Sequence, residues 1–147
     1  MKYRAAATSD LPDLLHWMAD FNRIEGIPWR AETARPALEN LLTKPEVGTV
    51  GRLEHDGNGV GYFVLSWGYD LEWDGRDAFL TELYLTEVSR GQGLGKRAIA
   101  VAQRVAEENG ARAMHLLVRP ENASARSIYE GAGFKVSPRL FLTKRLP

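Results

Sequence analysis

The sequence predicts a mixed α/β fold formed by one domain. Its 147 residues fall within the usual size of a single domain. Short β-prone runs and segments with apolar residues at helical spacing follow one another in the order β-α-α-β-β-β-α-β-α-β. One strand-helix-strand unit lies near the middle of this order, and no repeat, low-complexity tract or linker divides the chain. These observations favour one sheet flanked by helices.

The first third of the chain predicts one strand and two helices. Residues 3–7 can form a short strand, and the tripeptide TSD then offers N-caps for a helix that runs to about Arg23. A second helical pattern covers residues 31–43. Gly26 follows the first helix and Pro45 follows the second, and both are helix-ending signals.

Three strands are predicted next. The first two cover residues 48–54 and 60–67 and are joined by HDGNG, whose Asp-Gly and Asn-Gly pairs are strong hairpin signals. The segment GYDLEWDGRD is interpreted as a loop or a ragged strand end. The stretch AFLTELYLT, residues 78–86, has the β propensity of a central strand.

The last part of the chain predicts alternating helices and strands. An amphipathic helix covers residues 93–109 and stops at Gly110. An apolar strand over residues 113–118 follows, and then a short helix over 122–131. One or two closing strands are expected over residues 134–146.

The composition limits the classes of partner and chemistry. Nineteen Lys and Arg balance nineteen Asp and Glu, so no net field attracts nucleic acid or an anionic membrane. The chain has no cysteine, which excludes disulfides, a thiolate nucleophile and Cys-ligated zinc. Its apolar runs are too short to span a bilayer, and its N-terminus lacks a signal-peptide core. We therefore expect a cytoplasmic protein without a metal.

The stretch SRGQGLGKR, residues 89–97, has the composition of an anion-binding turn. It follows a predicted strand and begins a predicted helix, so consecutive backbone N–H groups can converge on a phosphate there. Lys96 and Arg97 stand in the first helical turn, where the helix dipole disfavours cations unless an anion is bound. The alternative is a tight turn with solvated cations.

Two common phosphate motifs do not fit this stretch. A Walker A loop would need a Gly at position 90 and Ser or Thr at position 97, and the chain has Arg90 and Arg97 there. A dinucleotide-binding motif counted from Gly91 would need Gly at the position of Lys96. ATP hydrolysis and a Rossmann cofactor are therefore not supported.

A second polar segment, VRPENASARSIYEGAGF, lies about thirty residues further along. If Asn122 begins the short helix, Ala125 and Tyr129 lie one and two turns on, so the three share one face with a small residue between two polar ones. Taken alone, Tyr129 could equally pack its ring in the core and Asn122 could simply cap the helix.

The two segments together resemble the GNAT superfamily of N-acetyltransferases. The family's pyrophosphate motif corresponds to RGQGLG, residues 90–95, and the preceding strand has the usual apolar and acidic pattern. The second cofactor segment of the family corresponds to residues 118–134. The resemblance implies a central, mostly antiparallel mixed sheet whose central strand pair splays apart, flanked by helices.

The resemblance also implies that acetyl-coenzyme A binds as co-substrate in the gap between the splayed strands. Backbone groups of the central strand would pair with the pantetheine arm, and N–H groups of the glycine-rich turn would bind the pyrophosphate. The implied cofactor-binding residues are Leu83, Tyr84, Leu85, Arg90, Gly91, Gln92, Gly93, Leu94, Gly95, Lys96, Asn122 and Tyr129.

Acetyl transfer to an amine needs a base, because an alkylammonium with a pKa of about 10.4 is protonated at neutral pH. Glu82 lies in the central strand and is the candidate base, acting directly or through water; it could also be a solvated carboxylate. A backbone N–H near Leu85 would stabilise the oxyanion. Tyr129 is the candidate acid for the leaving thiolate, as often in the family. The three histidines show no catalytic or metal spacing.

The acceptor is the least determined feature. Five acidic residues between Trp67 and Leu83, opposed only by Arg76, would favour a cationic, polyamine-like amine if they faced the cleft, although such runs are usually solvated. Phe21, Glu25 and Trp29 could border the acceptor site. The leading hypothesis is an acetyltransferase acting on a small-molecule amine. The alternatives are an acyl-coenzyme A sensor without catalysis and a protein or peptide acetyltransferase, and a homodimer is one candidate state.

Overall fold

A computed structural model describes all 147 residues and shows four α-helices and one five-stranded sheet. In chain order the elements are β1 (Lys2–Ala5), α1 (Leu11–Glu25), α2 (Ala31–Thr43), β2 (Gly48–His55), β3 (Asn58–Asp70), β4 (Gly75–Leu85), α3 (Leu94–Glu108), β5 (Ala113–Leu116) and α4 (Ala123–Gly131). Single 3-10 turns lie at Thr8–Asp10, Leu71–Trp73 and Glu87–Ser89.

The strands lie in sequence order across the sheet, β1-β2-β3-β4-β5. The first four are joined as antiparallel neighbours, and β5 runs parallel to β4 after the crossover through α3. The mixed, mostly antiparallel sheet expected from the sequence is therefore confirmed.

Two hydrophobic clusters fill the two faces of the sheet. On one face, Phe63 and Leu65 of β3 pack with the apolar side of α3. On the other face, Tyr62 and Val64 of the same strand pack with α1 and α2. This alternation follows from the two-residue period of a strand, and it separates an α3 face from an α1 face on which different chemistry can be placed.

The β2–β3 hairpin agrees with the sequence prediction, whereas the β3–β4 hairpin is longer than predicted. The turn between β2 and β3 forms at Asp56 and Gly57, which adopt positive φ values of 51° and 80°. The segment GYDLEWDGRD is more regular than the predicted loop or ragged strand end, because β3 continues to Asp70 and pairs it with Gly75 of β4. A long hairpin results, with one 3-10 turn at its end.

The predicted closing strands over residues 134–146 are wrong. This segment contains no strand and contacts the rest of the fold through side chains, including an Arg139–Glu72 ion pair of 2.5 Å and a ring contact of Phe141 with Phe79. Two features disfavour a further strand: β5 offers an edge of only four residues, and Pro138 has no N–H to donate to a ladder.

No helix has both the length and the apolar character needed to cross a bilayer. No group of three or more His, Asp or Glu side chains is arranged to hold a metal ion.

Candidate active site

The strands β4 and β5 pair over only part of their length. Residues 77–80 of β4 pair with residues 113–116, and β4 then continues to Leu85 without β5 as a neighbour. β5 ends at Leu116, two residues earlier than the sequence predicted. The last part of β4 therefore borders a gap, as expected for a splayed central pair.

Backbone groups of β4 point into this gap. The N–H of Thr86 donates to the carbonyl of Val60 at 2.9 Å, on the side of β3. Because successive residues of a strand direct their backbone groups to opposite sides, those of Leu83 and Leu85 point away from β3. The predicted backbone contacts with the pantetheine arm are geometrically available at Leu83 and at the N–H of Leu85, whose carbonyl accepts from Arg90, but not at Tyr84, which faces β3.

A β-bulge at Thr81 decides which way the following side chains point. Val64 pairs with Glu82 and Leu65 pairs with Leu80, so Thr81 is an extra residue in β4. Leu80 faces α3, and in an uninterrupted strand Glu82 would face the same apolar cluster. The bulge instead places Glu82 on the α1 face, where a polar partner is present.

That partner is Tyr62, whose hydroxyl donates a hydrogen bond of 2.5 Å to Oε2 of Glu82. The Tyr62 ring is fully buried and stacks on Trp17, with the ring centroids 6.4 Å apart. Burial raises the pKa of Glu82, and the hydrogen bond from Tyr62 partly opposes this rise. Glu82 is therefore a desolvated carboxyl with one donor, and its raised pKa makes it a stronger base than an exposed carboxylate.

The glycine-rich turn presents free backbone donors at the beginning of α3. None of the backbone hydrogen bonds in turns, loops and caps is donated by an N–H of residues 91–96. Gly91 and Gly93 adopt φ values of 73° and 71°, and a Cβ on either would meet nothing within 4 Å. These glycines are needed for backbone conformation, not for space, and the turn leaves six consecutive N–H groups for an anion.

The residues at the beginning of α3 have different roles. A Cβ on Gly95 would lie 3.1 Å from Ile128, so this glycine lets α4 pack closely on α3. Leu94 is buried in the core, which leaves only its backbone N–H for a ligand. Lys96 and Arg97 are exposed and form no ion pair, and their charge can therefore meet a bound anion.

The side chain of Arg90 stabilises the end of β4. Its Nε donates to the carbonyl of Leu85 at 2.9 Å, and its guanidinium lies over the ring of Tyr84, 5.4 Å from the centroid. Nη2 is 3.6 Å from Asp20, which also accepts a hydrogen bond of 2.7 Å from the Tyr84 hydroxyl. The Arg90 side chain thus makes its contacts within the protein. The prediction that Arg90 contacts the cofactor is supported only by its place in the sequence motif, directly before the glycines.

Helix α4 provides the last two predicted residues. The Oδ1 of Asn122 accepts from the N–H of Ala125 at 3.2 Å, which makes Asn122 the helix cap. Tyr129 is half-buried, and its ring meets Phe134 edge-on with centroids 6.1 Å apart. Burial and the charge of Glu25 raise the pKa of Tyr129, so its hydroxyl stays protonated at neutral pH.

Of the five residues of the acidic run, only Glu82 belongs to this site. Asp70, Glu72 and Asp74 lie at the far end of the β3–β4 hairpin, and Glu72 pairs with Arg139. Glu82 lies seven positions after Gly75 in β4, a span of about 20 Å. Asp77 instead contacts His115 at 3.1 Å. The other four acidic residues therefore place no carboxylate beside Glu82 that would favour a polyamine.

The sequence profile of the acetyltransferase (GNAT) family matches residues 11–134. This chain belongs to the GNAT family. The match covers α1 to the end of α4 and so includes both segments on which the resemblance rested, and the expectation of an N-acetyltransferase is confirmed at the level of the family.

Individual relatives of this GNAT chain show how far the similarity extends. A Bos taurus protein named thialysine N-epsilon-acetyltransferase is 32% identical over 74 residues, which are 50% of this chain and 43% of that protein. The Mus musculus protein of that name is 24% identical over 90% of this chain and 82% of its own length. An integron cassette protein from the mobile metagenome of Cole Harbour salt marsh superposes with a TM-score of 0.85 and 28% identity, covering 99% of this chain and 90% of that one.

Several residues that contact the candidate site residues were not predicted from the sequence. Tyr62 stands in the apolar run YFVLSW, where it is indistinguishable from a core aromatic residue. Asp20 and Arg119 contact residues more than sixty positions away, so no local pattern indicates them. The bulge at Thr81 carries no glycine or proline that would have marked it.

Proposed function

We propose that this chain is an acetyl-coenzyme A-dependent N-acetyltransferase that moves an acetyl group to a primary amine of a small molecule. The observation that carries the proposal is the run of unpaired N–H groups at residues 91–96, directly beside the open edge of β4. A diphosphate and an extended amide-containing arm are the two chemical features that such a turn and such an edge would bind together.

The donor substrate would be held mainly by backbone groups. N–H groups of residues 91–96 bind the pyrophosphate, with Lys96 as a charged neighbour. Backbone groups of Leu83 and the N–H of Leu85 bind the arm as an added strand would. A backbone N–H near Leu85 then lies at the acetyl carbonyl, where negative charge develops during transfer. Acetyl-coenzyme A supplies the activated thioester when bound.

Side chains on the two faces of the gap would carry the protons. Glu82, on the α1 face, accepts a proton from the acceptor ammonium directly or through water, so that the neutral amine attacks the acetyl carbon. Tyr129, on α4, donates its hydroxyl proton to the departing sulfur. Attack is direct in a ternary complex, since the chain has no cysteine and no GxSxG segment that would favour a covalent intermediate.

The acceptor is a terminal primary amine in this proposal. The names of the cattle and mouse relatives, thialysine N-epsilon-acetyltransferase, support an amine at the end of a side chain. The acidic run gives a polyamine little support, because Asp70, Glu72 and Asp74 lie at the other end of β4 from Glu82.

The test is release of free thiol from acetyl-coenzyme A in the presence of polyamines, amino acids, aminoglycosides or short peptides. We expect turnover with at least one small amine and none without protein. Binding of acetyl-coenzyme A by calorimetry without turnover on any amine would indicate a sensor, and turnover only with peptides would indicate a peptide acetyltransferase.

A further inference from the structure

Helix α1 crosses the sheet strand by strand. Near its beginning, Asp13 pairs with Arg52 of β2 at 2.8 Å. One turn later Trp17 stacks on Tyr62 of β3, and Asp20 then accepts from the hydroxyl of Tyr84 of β4 at 2.7 Å. The last residue of the helix, Glu25, comes after all three strands have been crossed. It therefore stands beyond β4, on the side of the gap.

Glu25 is joined there to the opposite arm of the gap. Oε2 of Glu25 accepts from Nε of Arg119 at 3.1 Å, and Nη2 of Arg119 donates to the carbonyl of Ile24 at 3.3 Å. Arg119 lies three residues after Leu116, where β5 has already diverged from β4. The ion pair thus spans the gap on the α1 face, the same face on which the bulge places Glu82.

The pair also borders the predicted acid. The charge of Glu25 contributes to the raised pKa of Tyr129, so the two side chains lie within electrostatic range of each other. Both members remain accessible, with 24% of the Glu25 and 40% of the Arg119 side chain exposed. A small polar ligand can therefore reach the pair from solvent.

We propose that the Glu25–Arg119 pair binds the zwitterionic head of an amino-acid acceptor and so selects amino acids that carry a second, distal amine. Arg119 receives the α-carboxylate, Glu25 receives the α-ammonium, and the distal amine extends to Glu82. This inference rests on the function proposed above and names the substrate class of that site.

An amino acid would be preferred because its two charged groups can replace the partners that Glu25 and Arg119 provide for each other. A zwitterion inserted into the pair gives Arg119 a carboxylate and Glu25 an ammonium, and Arg can bind a carboxylate through two parallel hydrogen bonds. Glu121, whose Oε1 lies 3.5 Å from Nη1 of Arg119, is mostly exposed and can turn to solvent when the carboxylate binds. A diamine of the same length brings only positive charge, so that one of its ammonium groups faces Arg119. Sites that hydrogen-bond a substrate group reject the analogue that lacks it, because the protein group is then left without its partner.

Lysine and cadaverine form the matched test, since cadaverine is lysine without the carboxylate. We expect kcat/KM for acetylation by the unaltered chain to be at least about tenfold higher for lysine, the value of one well-placed polar contact. Arg119→Gln should bring the ratio close to one by lowering the lysine value, with the KM for acetyl-coenzyme A unchanged. Arg119→Lys should restore part of the preference.

Arg126→Gln is the control, because Arg126 pairs with Glu130 on the outside of α4 at 2.7 Å and should not alter the ratio. Unfolding temperatures verify that each variant is folded. A ratio near one in the unaltered chain overturns the inference, and so does an equal loss for both amines in Arg119→Gln, which would make the pair a structural link. In either of those cases turnover persists, whereas failure of the proposed function leaves no turnover with any amine.

Discussion

At the scale of single residues, Glu82 shows how one hydrogen bond can adjust a base. Burial raises the pKa of this carboxyl, and the Tyr62 hydroxyl lowers it by stabilising the charged form. Burial keeps the pKa of Tyr62 above its usual value, so the phenol remains a donor throughout the working range. The pair therefore sets the pH above which Glu82 can accept a proton.

Tyr62→Phe removes this donor and keeps the ring that stacks on Trp17. The pKa of Glu82 should then rise further, and the acidic limb of the kcat/KM profile should move to higher pH. Tyr84→Phe is the control, since its hydroxyl donates to Asp20 instead. A limb that stays in place in Tyr62→Phe would show that another group, or a water chain, takes the proton.

Tyr129→Phe tests the acid. The hydroxyl of Tyr129 makes no hydrogen bond within the protein, so its loss should leave stability nearly unchanged. Turnover should fall by roughly 10²-fold or more, with acetyl-coenzyme A affinity nearly intact. Tyr69→Phe, at an exposed tyrosine of the distant hairpin, should have no effect. Unchanged turnover in Tyr129→Phe would remove this residue from the reaction.

At the scale of elements, the turn before α3 was predictable because its requirements are local. Gly91 and Gly93 need positive φ, and glycine is the residue that adopts it without strain. The bulge at Thr81 was not predictable, since it depends on how β4 pairs with β3. The β propensity of residues 134–146 misled the prediction because no adequate edge is available for a strand there.

Gly93→Ala tests the anion turn. Alanine at a φ of 71° costs about 1 kcal/mol and tilts the neighbouring N–H groups, so the KM for acetyl-coenzyme A should rise about tenfold or more. Gly110→Ala is a matched control, because Gly110 has a φ of 82° and open space but lies at the other end of α3. The stability of the Gly110→Ala variant should fall by a similar amount, while its KM for acetyl-coenzyme A stays the same. Equal KM values in the two variants would argue against the turn as the phosphate site.

At the scale of the whole molecule, contacts between distant parts of the chain bring the site together. Asp20 reaches Tyr84 across sixty-four positions and Glu25 reaches Arg119 across ninety-four. A sequence pattern indicates which side chains are polar and which face of a helix they share. It does not indicate that α1 ends over the gap beside β4, since this depends on the crossing direction of the helix. The donor side was therefore more predictable than the acceptor side.

Stability should depend on pH in two opposite ways, and Glu82 gives the first. Its folded pKa lies above the usual 4.5, so its stabilising contribution is present below that pH and is lost as pH rises through the folded pKa. Glu82→Gln should accordingly increase the free energy of unfolding relative to the unaltered chain at pH 8 more than at pH 4. Urea titrations at the two pH values measure the difference, and a gain that is the same at both would contradict a raised pKa.

Asp10 gives the second dependence. Two hydrogen bonds of 2.7 Å from Arg4 and one from the N–H of Ala7 lower its pKa from 3.8 to about 2. Its contribution is therefore present above pH 3.8 and disappears as pH falls through 2. Asp10→Asn should lower the free energy of unfolding by about 1 to 3 kcal/mol at pH 7, because it weakens the link between β1 and the beginning of α1.

The difference between Asp10→Asn and the unaltered chain should shrink as the pH of the urea titration is lowered from 5 toward 2. Asp13→Asn is the comparison, since Asp13 is 56% exposed in its pair with Arg52 and should cost at most about 1 kcal/mol. A deficit in Asp10→Asn that does not change with pH would mean that the charge of Asp10 contributes nothing. Asp10, which lies between β1 and α1, would then stabilise the fold only through the hydrogen bond that it accepts from the N–H of Ala7.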